Sequence, residues 1–251
     1  MLKEQEYNEY CRKYNSIEKY LRDNSEKPMD VALEICKLRG YYPERMAMTL
    51  INAGFMYLKE DVDLSRLYAM GNDFGLFKDD TFILKDRFIF PVKDMLGNTI
   101  ALIGWFPDEK KYITTPSKLF SKTCLFYGME QLSKTGIRKP YVLVEGIFDS
   151  LSVRSIGLNC IAQMGISTSR YKTIMYGLFS KLVGIPDNDP EGRKVLVNDE
   201  WNIPSNGKYF RWVGDPCKDI DNFINSYEEE DVREVLLNAF NSTERIVNCR
   251  V

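Results

Sequence analysis

The chain has 251 residues, of which 44% are hydrophobic and 28% are charged, and its formal net charge is −2. These values are typical of a soluble globular protein with one or two domains, and they argue against an indiscriminate DNA coat. Its six cysteines form no Cys-x-x-Cys pair and it has no histidine, so a zinc ribbon, a zinc cofactor and histidine-dependent catalysis are excluded.

The amino-terminal residues, M-L-K-E-Q-E-Y, do not have the pattern of a signal peptide. No apolar run approaches the roughly 18 residues that a transmembrane helix needs. We therefore expect a cytoplasmic protein with no membrane partner.

Three helices are predicted in the first part of the chain, at about residues 4–22, 29–38 and 43–54. The first has tyrosines at helical spacing, which we interpret as a packing face. The second and third stop at glycines in the manner of a C-cap. The following stretch, 58–80, has scattered acids and little periodicity, and it is interpreted as connecting structure.

Strand patterns begin at Thr81. The sequences F-I-L-K-D-R-F-I-F-P-V and T-I-A-L-I-G-W-F flank D-M-L-G-N, a loop with glycine in a turn position, which predicts a hairpin or meander. Shorter apolar pieces follow at 112–115 and 125–127. These elements predict an amino-terminal α+β lobe that ends near residue 135.

Two apolar runs farther along the chain each end in carboxylates, at the point where a strand is followed by a helix. The first, K-P-Y-V-L-V-E-G-I-F-D, contains Glu145 and Asp149, whose spacing of about one helical turn lets both face one crevice. The second, K-L-V-G-I-P-D-N-D-P-E-G, contains Asp187 and Asp189, which point the same way in extended chain. Gly146 leaves space for close approach. In an open α/β sheet, ligands bind at this carboxyl edge.

We expect these carboxylates to share a divalent cation. Acids drawn together by two strand ends would repel one another without one. Oxygen ligands with no histidine and no thiolate nearby favour Mg²⁺ or Mn²⁺ over zinc. Asp189 can also cap the next helix, with Pro190 at its first position.

The elements around the acids predict an α/β domain with a central, mostly parallel sheet flanked by helices. A third apolar run is followed by S-T-S-R-Y, which predicts a helix capped by Ser167 or Thr168. A helix at about 191–201 and a strand at 208–213 come next.

The last part of the chain contains two further acids and a predicted helix. In D-P-C-K-D-I-D-N-F-I, the residues alone favour a helix N-terminus with Asp219 and Asp221 as capping residues. The tail 228–241 is an amphipathic helix with acids in its first turn, which the helix dipole favours.

The acidic pattern, E-G-x-x-D followed by D-x-D-x-x-G, resembles the topoisomerase-primase (Toprim) domain, a small α/β fold that binds divalent metal for phosphoryl chemistry. Upstream, R-F-I-F-P-V-K-D-M-L-G, K-Y-I-T-T-P and F-S-K-T-C-L-F-Y-G are similar to the segment that precedes the Toprim domain in DnaG-type bacterial and phage primases. Gly104-Trp105-Phe106 departs from the Gly-Gly-Arg usual at this place in the family. Aromatic side chains here can either stack on a base or pack in the protein, and we expect packing.

The resemblance covers roughly residues 30–225 and implies a division into three parts. These are a helical and α+β primase-core lobe at 1–135, a Toprim metal-binding domain at 136–227, and a C-terminal helix and tail at 228–251. The implied activity is synthesis of short RNA primers on single-stranded DNA from ribonucleoside triphosphates, by nucleotidyl transfer with two Mg²⁺ or Mn²⁺ ions.

The resemblance also implies roles for particular residues. Glu145 is the central ligand or general base, and Asp149 supports it from outside. The residues expected to hold metal are Glu145, Asp187, Asp189, Asp219 and Asp221. The residues expected to contact nucleic acid or nucleotide are Arg87, Lys111, Lys122 and Arg193, and the structural glycines of the site are Gly146 and Gly192.

Two other functions remain open at this point. A Toprim nuclease would use the same acids to activate water, although it would not need the upstream lobe. A non-catalytic, primase-like nucleic-acid-binding or replication factor would keep the fold alone.

Primases of this family normally carry a zinc ribbon and many carry a helicase-binding domain, which this sequence does not show. The resemblance therefore predicts a phage-type primase, acting in a bacterial or infected host cell with a replicative helicase or a separate template-recognition protein.

Overall fold

The computed structural model describes residues 4–108, 111–115, 124–165, 167–214 and 216–249. The chain divides into two compact units, Met1–Ser121 and Lys122–Val251. Lys122, which was expected to contact nucleic acid, lies outside the described residues. The limits predicted at 135/136 and 227/228 stay predictions. Among the helices of the described ranges, none combines the length and the apolar character needed to cross a membrane.

The helices of the first unit are α1 (Glu4–Asp23), α2 (Pro28–Arg39), α3 (Pro43–Ala53) and α4 (Leu64–Gly71). The first three confirm the sequence prediction. Gly40 and Gly54 end α2 and α3 with φ of 70° and 80°, a left-handed conformation that glycine adopts without strain. Tyr14 and Ile17 of α1 are fully buried, so the tyrosine face of this helix is a packing face.

The prediction that 58–80 is only connecting structure was wrong, because it contains α4 and the first short strand. The Asp63 side chain accepts hydrogen bonds from the backbone N–H groups of Ser65 and Arg66, which caps α4. Leu67 is fully buried. A helix this short shows too few apolar positions for its period to be recognised.

The strands of the first unit are β1 (Phe77–Lys78), β2 (Thr81–Phe82), β3 (Phe88–Lys93), β4 (Thr99–Phe106) and β5 (Lys111–Thr114). The first two pair with each other, and the other three form an antiparallel sheet in the order β3-β4-β5, which confirms the meander. Trp105 is buried, with its ring centroid 5.6 Å from that of Phe88. The expectation that this aromatic residue packs is confirmed.

The second unit is a five-stranded, wholly parallel sheet in the order β10-β9-β8-β6-β7. Its strands are β6 (Pro140–Val144), β7 (Cys160–Ala162), β8 (Lys181–Ile185), β9 (Lys208–Trp212) and β10 (Ile246–Cys249). Its helices are α5 (Leu132–Thr135), α6 (Ile147–Ser155), α7 (Arg170–Tyr176), α8 (Pro190–Asn198), α9 (Ile220–Ser226) and α10 (Glu229–Asn241). The predicted fold class is confirmed: an α+β lobe followed by an α/β domain with a parallel sheet.

Two details of the second unit differ from the prediction. The cap of α7 is Ser169, whose hydroxyl accepts a hydrogen bond from the Lys172 N–H at 3.3 Å, rather than Ser167 or Thr168. The edge strand β10 was not predicted, because a run as short as I-V-N-C shows no clear alternation. The core between sheet and helices includes the fully buried side chains of Trp201, Tyr141 and Tyr176.

Candidate active site

Two acidic residues lie at the carboxyl ends of neighbouring strands in the second unit. Val144 of β6 pairs with Ile185 of β8, so Glu145 and Asp187 come just past the same edge of the sheet. The Glu145 Oε1 atom lies 3.5 Å from the backbone nitrogen of Asp187, which donates to it. The structure therefore brings together two acids that are 42 positions apart in the chain.

Hydrogen bonds fix the loop that carries Asp187. The Trp212 indole N–H donates to the carbonyl oxygen of Pro186 at 2.8 Å. The Asn188 side chain donates to the carbonyl oxygen of Cys217 at 2.9 Å, and the Asn188 backbone N–H donates to that of Lys218 at 2.6 Å. The loop after β8 is thus held against the segment that precedes α9, and Asp219 joins the same acidic region.

Three of the acids also cap helices. Asp149 Oδ2 accepts from the Gly146 N–H at 3.1 Å. Asp189 and Asp219 each accept a hydrogen bond at 2.8 Å, from the N–H of the third residue after them, at the start of α8 and α9. Asp189 caps α8 with Pro190 at the first helical position, as predicted. These bonds hold each carboxyl group in place through one oxygen atom.

The two glycines of the motif make room for backbone and carboxylate atoms. A β-carbon at Gly146 would overlap the Oδ2 atom of Asp149, so this glycine makes room for the capping carboxylate. A β-carbon at Gly192 would overlap the carbonyl oxygen of Asp187 and lie 2.8 Å from its carbonyl carbon. The first turn of α8 can therefore lie directly against the loop that carries Asp187.

The acids raise one another's pKa values. Burial, with the charges of Asp189 and Asp149, raises the pKa of Glu145 to about 7, against the lowering effect of the Asp187 N–H. Burial and the charges of Glu145, Asp219 and Asp189 raise the pKa of Asp187 to about 7. Burial and the charges of Asp187, Asp219 and Asp221 raise the pKa of Asp149 well above its usual range. The group therefore carries electrostatic strain that a bound cation would relieve.

Asp221 differs from the other acids in its surroundings. Only 4% of its surface is exposed, and its Oδ1 atom accepts hydrogen bonds from the Ser152 hydroxyl and, at 3.1 Å, from the Asn225 side chain. This carboxylate joins α6 to α9. The contact favours a structural role for Asp221. The charge of Asp219, at the helix N-terminus, raises the pKa of both Asp187 and Asp149.

The donor chemistry of the site suits a hard divalent cation. Carboxylate oxygens are ligands that Mg²⁺ and Mn²⁺ prefer. A bound cation would also offset the repulsion that raises the pKa values of Glu145 and Asp187. Over the described ranges, no three Asp, Glu, Cys or His side chains are already close enough together to hold a metal ion. Binding would therefore require carboxylate side chains to turn toward the ion.

We expect the metal-free protein to be more stable at about pH 5 than at about pH 8. The folded-state pKa values of Glu145 and Asp187 are near 7, above their ordinary values of 4.5 and 3.8. Between these limits the folded state binds more protons than the unfolded state, so stability falls as the pH rises through about 7. Thermal unfolding in the presence of a chelator measures this, and a melting temperature that rises toward pH 8 would contradict it.

The described basic residues predicted to contact nucleic acid lie in different surroundings. Arg87 lies over the Phe106 ring, at 5.2 Å from its centroid, and Lys111 is exposed at the start of β5. Arg193 is exposed on α8 and lines a cavity of about 290 Å³ together with Asp187, Arg211 and Trp212. Sequence reasoning did not single out Arg211 and Trp212. They could have been found from their position, because they are the last two residues of β9 and β9 pairs with β8, the strand that leads to Asp187.

Comparison with known proteins shows which proteins the chain is similar to. A Toprim-like family model matches residues 142–224. The DNA primase of Chlamydia trachomatis is 30% identical over 188 residues, which are 64% of this chain and 29% of that protein. The DNA primase of Haemophilus influenzae is 26% identical over 215 residues, which are 80% of this chain and 35% of that protein. The chain thus spans about three tenths of the length of these relatives.

A solved structure of a DnaG primase catalytic domain bound to single-stranded DNA is similar to this chain in fold. Its TM-score is 0.74, and the match covers 95% of this chain and 81% of that one. The sequence identity is 18%, so this likeness shows the fold. The fold is that of the DnaG catalytic core.

Proposed function

We propose that this chain, which carries a Toprim domain and has the fold of the DnaG primase catalytic core, is the polymerising core of a DNA primase. It joins ribonucleotides into short RNA primers on a single-stranded DNA template. The observation that carries the proposal is the pairing of Glu145 with Asp187 at the carboxyl edge of the sheet, where burial and mutual repulsion raise both pKa values to about 7. The primase relatives and the fold support the same reading.

In the reaction, the 3′-hydroxyl of the primer attacks the α-phosphate of a ribonucleoside triphosphate. A new P–O bond forms, the bond to pyrophosphate breaks, and the hydroxyl proton must leave. The Glu145 carboxylate, at the end of β6 beside Asp187, is the group that we assign to accept this proton. The backbone N–H of Asp187, on the adjacent strand end, donates to this carboxylate at 3.5 Å.

Glu145, Asp187, Asp189 and Asp219 are the residues that would hold two Mg²⁺ or Mn²⁺ ions, with Asp149 behind them. When bound, the ions would lower the pKa of the 3′-hydroxyl and neutralise charge on the phosphates. Asp189 and Asp219 are each fixed by a helix-capping bond through Oδ1. These bonds hold one oxygen of each carboxyl group, and the other oxygen would have to turn toward a bound ion.

The template and the nucleotide need cations that the acidic edge does not supply. Arg193 and Arg211 line the cavity next to Asp187, and Lys111 is exposed in the first unit. Guanidinium groups bind phosphate oxygens in pairs of hydrogen bonds, so we assign the two arginines to phosphate contact. The solved relative with bound single-stranded DNA supports a single-stranded template. Phage origin and dependence on a helicase or a template-recognition partner stay predictions.

We expect Asp219→Asn and Asp221→Asn to have different effects. Asp219→Asn keeps the helix cap but removes charge, so primer synthesis falls while stability changes little. Asp221→Asn disturbs a buried hydrogen-bonded group, which costs about 1–3 kcal/mol of folding free energy. Denaturant unfolding and primer synthesis measured on both variants test this. A larger loss of activity without loss of stability in Asp221→Asn would reverse the assignment.

The proposed function is tested by incubating the chain with single-stranded DNA, labelled ribonucleoside triphosphates and Mg²⁺ or Mn²⁺, and separating the products by size. We expect short RNA products that depend on template and metal. Glu145→Gln should make none, whereas Glu191→Gln, an exposed acid of the same region, should make normal amounts. Degraded template without RNA would indicate the nuclease instead, and template binding with neither product would indicate the non-catalytic factor.

A further inference from the structure

A groove in the first unit is lined by acidic side chains, whereas a nucleic-acid site is lined by basic ones. It has a volume of about 440 Å³ and lies beside α2, β3 and the end of β4. Five carboxylates line it: Glu26, Asp30, Glu34, Asp86 and Asp108. Its floor contains the apolar and aromatic side chains of Leu38, Tyr57, Phe88 and Phe106. We call this feature the acidic groove.

The carboxylates of the acidic groove are almost without cationic partners. Over the described ranges, Glu34 alone among the five forms an ion pair, with Lys37 at 3.6 Å on the exposed surface. The groove lining contains no lysine or arginine among the described residues. Burial, with the charges of Asp86 and Glu60, raises the pKa of the Tyr57 hydroxyl, as expected in a negative field. The groove lining is therefore negatively charged, while the Arg87 guanidinium lies 5.2 Å from the centroid of the Phe106 ring.

Folding alone does not account for this arrangement. Asp30, Glu34 and Leu38 recur at every fourth residue of α2 and so lie along one side of the helix, where like charges are weakly destabilising. Next to them, Met29 and Leu33 are 46% and 43% exposed, and they extend the apolar surface along the helix. The rings of Tyr57 and Phe88 contact each other at a tilt of 48°, with their centroids 5.0 Å apart.

The negative charge and the aromatic lining of the groove indicate which kind of ligand it can bind. Five carboxylates repel the phosphates of a template or a nucleotide. A single metal ion is disfavoured, because no three described acids converge closely enough to hold one. A lysine or arginine side chain satisfies both parts of the lining, since its charge pairs with the carboxylates and its stem or guanidinium packs on aromatic faces. An apolar neighbour in the same segment would cover Leu38 and the exposed side chains of α2.

We propose that the acidic groove is a docking site for a short basic segment of a partner protein, in which lysines or arginines alternate with one or two large apolar residues. The volume fits a few side chains rather than a folded surface. Its negative charge complements such a segment and excludes the nucleic acid that the same protein is proposed to copy. This gives the first unit an attachment point that does not compete for the template.

The test uses fluorescein-labelled peptides and fluorescence anisotropy with the full chain. The probe is a peptide in which lysines and arginines alternate with leucine and phenylalanine. One control peptide has glutamate at the basic positions, and another has serine at the apolar positions. We expect the probe to bind with a Kd of about 10–100 μM, and both control peptides to bind at least about tenfold more weakly.

The groove is then neutralised by the triple substitution Asp30→Asn, Glu34→Gln and Asp86→Asn. Asparagine tolerates the left-handed backbone that Asp86 has, with φ of 55°. The matched control neutralises three exposed acids of α10, with Glu230→Gln, Asp231→Asn and Glu234→Gln. We expect the groove variant to lose at least about tenfold in probe affinity. The α10 variant should bind as the parent does, and both should fold and make primers normally.

Four outcomes would overturn the proposal. The first is no probe binding at about 1 mM. The second is equal loss of affinity in the α10 variant, which would mean unspecific charge attraction. The third is equal binding of the peptide with serine at the apolar positions. The fourth is self-association of the chain, measured by sedimentation, that the groove variant abolishes, since the occupant would then be a second copy of this chain.

Discussion

Replacing Glu145 by glutamine is expected to reduce primer synthesis at least about 1000-fold, because about 4 kcal/mol of transition-state stabilisation depends on this carboxylate. The substitution conserves the shape of the side chain and the oxygen that accepts from the Asp187 N–H. It removes the negative charge and the proton-accepting group. The effect should appear in kcat, since the group acts on the reacting atoms rather than on the remote parts of the substrates.

The same substitution should stabilise the metal-free protein at about pH 8, because the ionised Glu145 of the parent is repelled there by the neighbouring carboxylates. We expect a melting temperature higher by about 2–4 °C, the shift that about 1 kcal/mol gives in a chain of this size. The difference should vanish near pH 5, because Glu145 of the parent is then protonated. Glu191→Gln is the control. A variant that is inactive but less stable than the parent would show that the loss of activity comes from misfolding.

Gly192→Ala is expected to destabilise the protein by about 2 kcal/mol and to weaken Mn²⁺ binding at least about tenfold. Two effects oppose each other at this position. Alanine is better than glycine in a helix by about 1 kcal/mol. Against this, the new β-carbon would overlap the carbonyl oxygen of Asp187 and lie 3.0 Å from its backbone nitrogen. Backbone atoms cannot turn aside as a flexible side chain can, so the overlap outweighs the gain in helix propensity.

Glu191→Ala is the matched control for this prediction, since it places alanine at an exposed position in the same helical turn. It should leave the stability and the Mn²⁺ affinity near those of the parent. Denaturant unfolding and Mn²⁺ titration measure both quantities. If Gly192→Ala were as stable as the parent and bound Mn²⁺ equally well, then close contact between α8 and the Asp187 loop would be needed neither for stability nor for metal binding.

The acidic edge was predictable because two local patterns coincide there. Glu145 and Asp187 each follow a β-branched apolar run closely, and the carboxyl ends of parallel strands lie at one edge of a sheet. The sequence could not show that β6 and β8 are neighbours, since strand pairing is a long-range contact. The reason for Gly146 was also out of reach, because it depends on the conformation of the Asp149 side chain.

Three features could not be predicted from the sequence, because each depends on residues that are distant in the chain. Asp221 was grouped with Asp219, but its hydroxyl partner Ser152 lies 69 positions earlier in the chain. The Trp212 indole N–H holds the loop at Pro186 by a hydrogen bond that no local sequence pattern predicts. The strand β10 is specified by its pairing with β9 rather than by its own short sequence. Local patterns therefore predicted the acidic edge, and tertiary packing determines which acids lie close together there.

The most direct test of the account is a titration of the metal-free chain with Mn²⁺ at neutral pH, with the free ion followed by its electron paramagnetic resonance signal. We predict saturable binding by the parent, a loss of at least about tenfold in affinity for Glu145→Gln, and no loss for Glu191→Gln. Equal binding by the parent and Glu145→Gln, or no binding by the parent, would contradict the claim that the Glu145–Asp187 edge is a divalent-metal site.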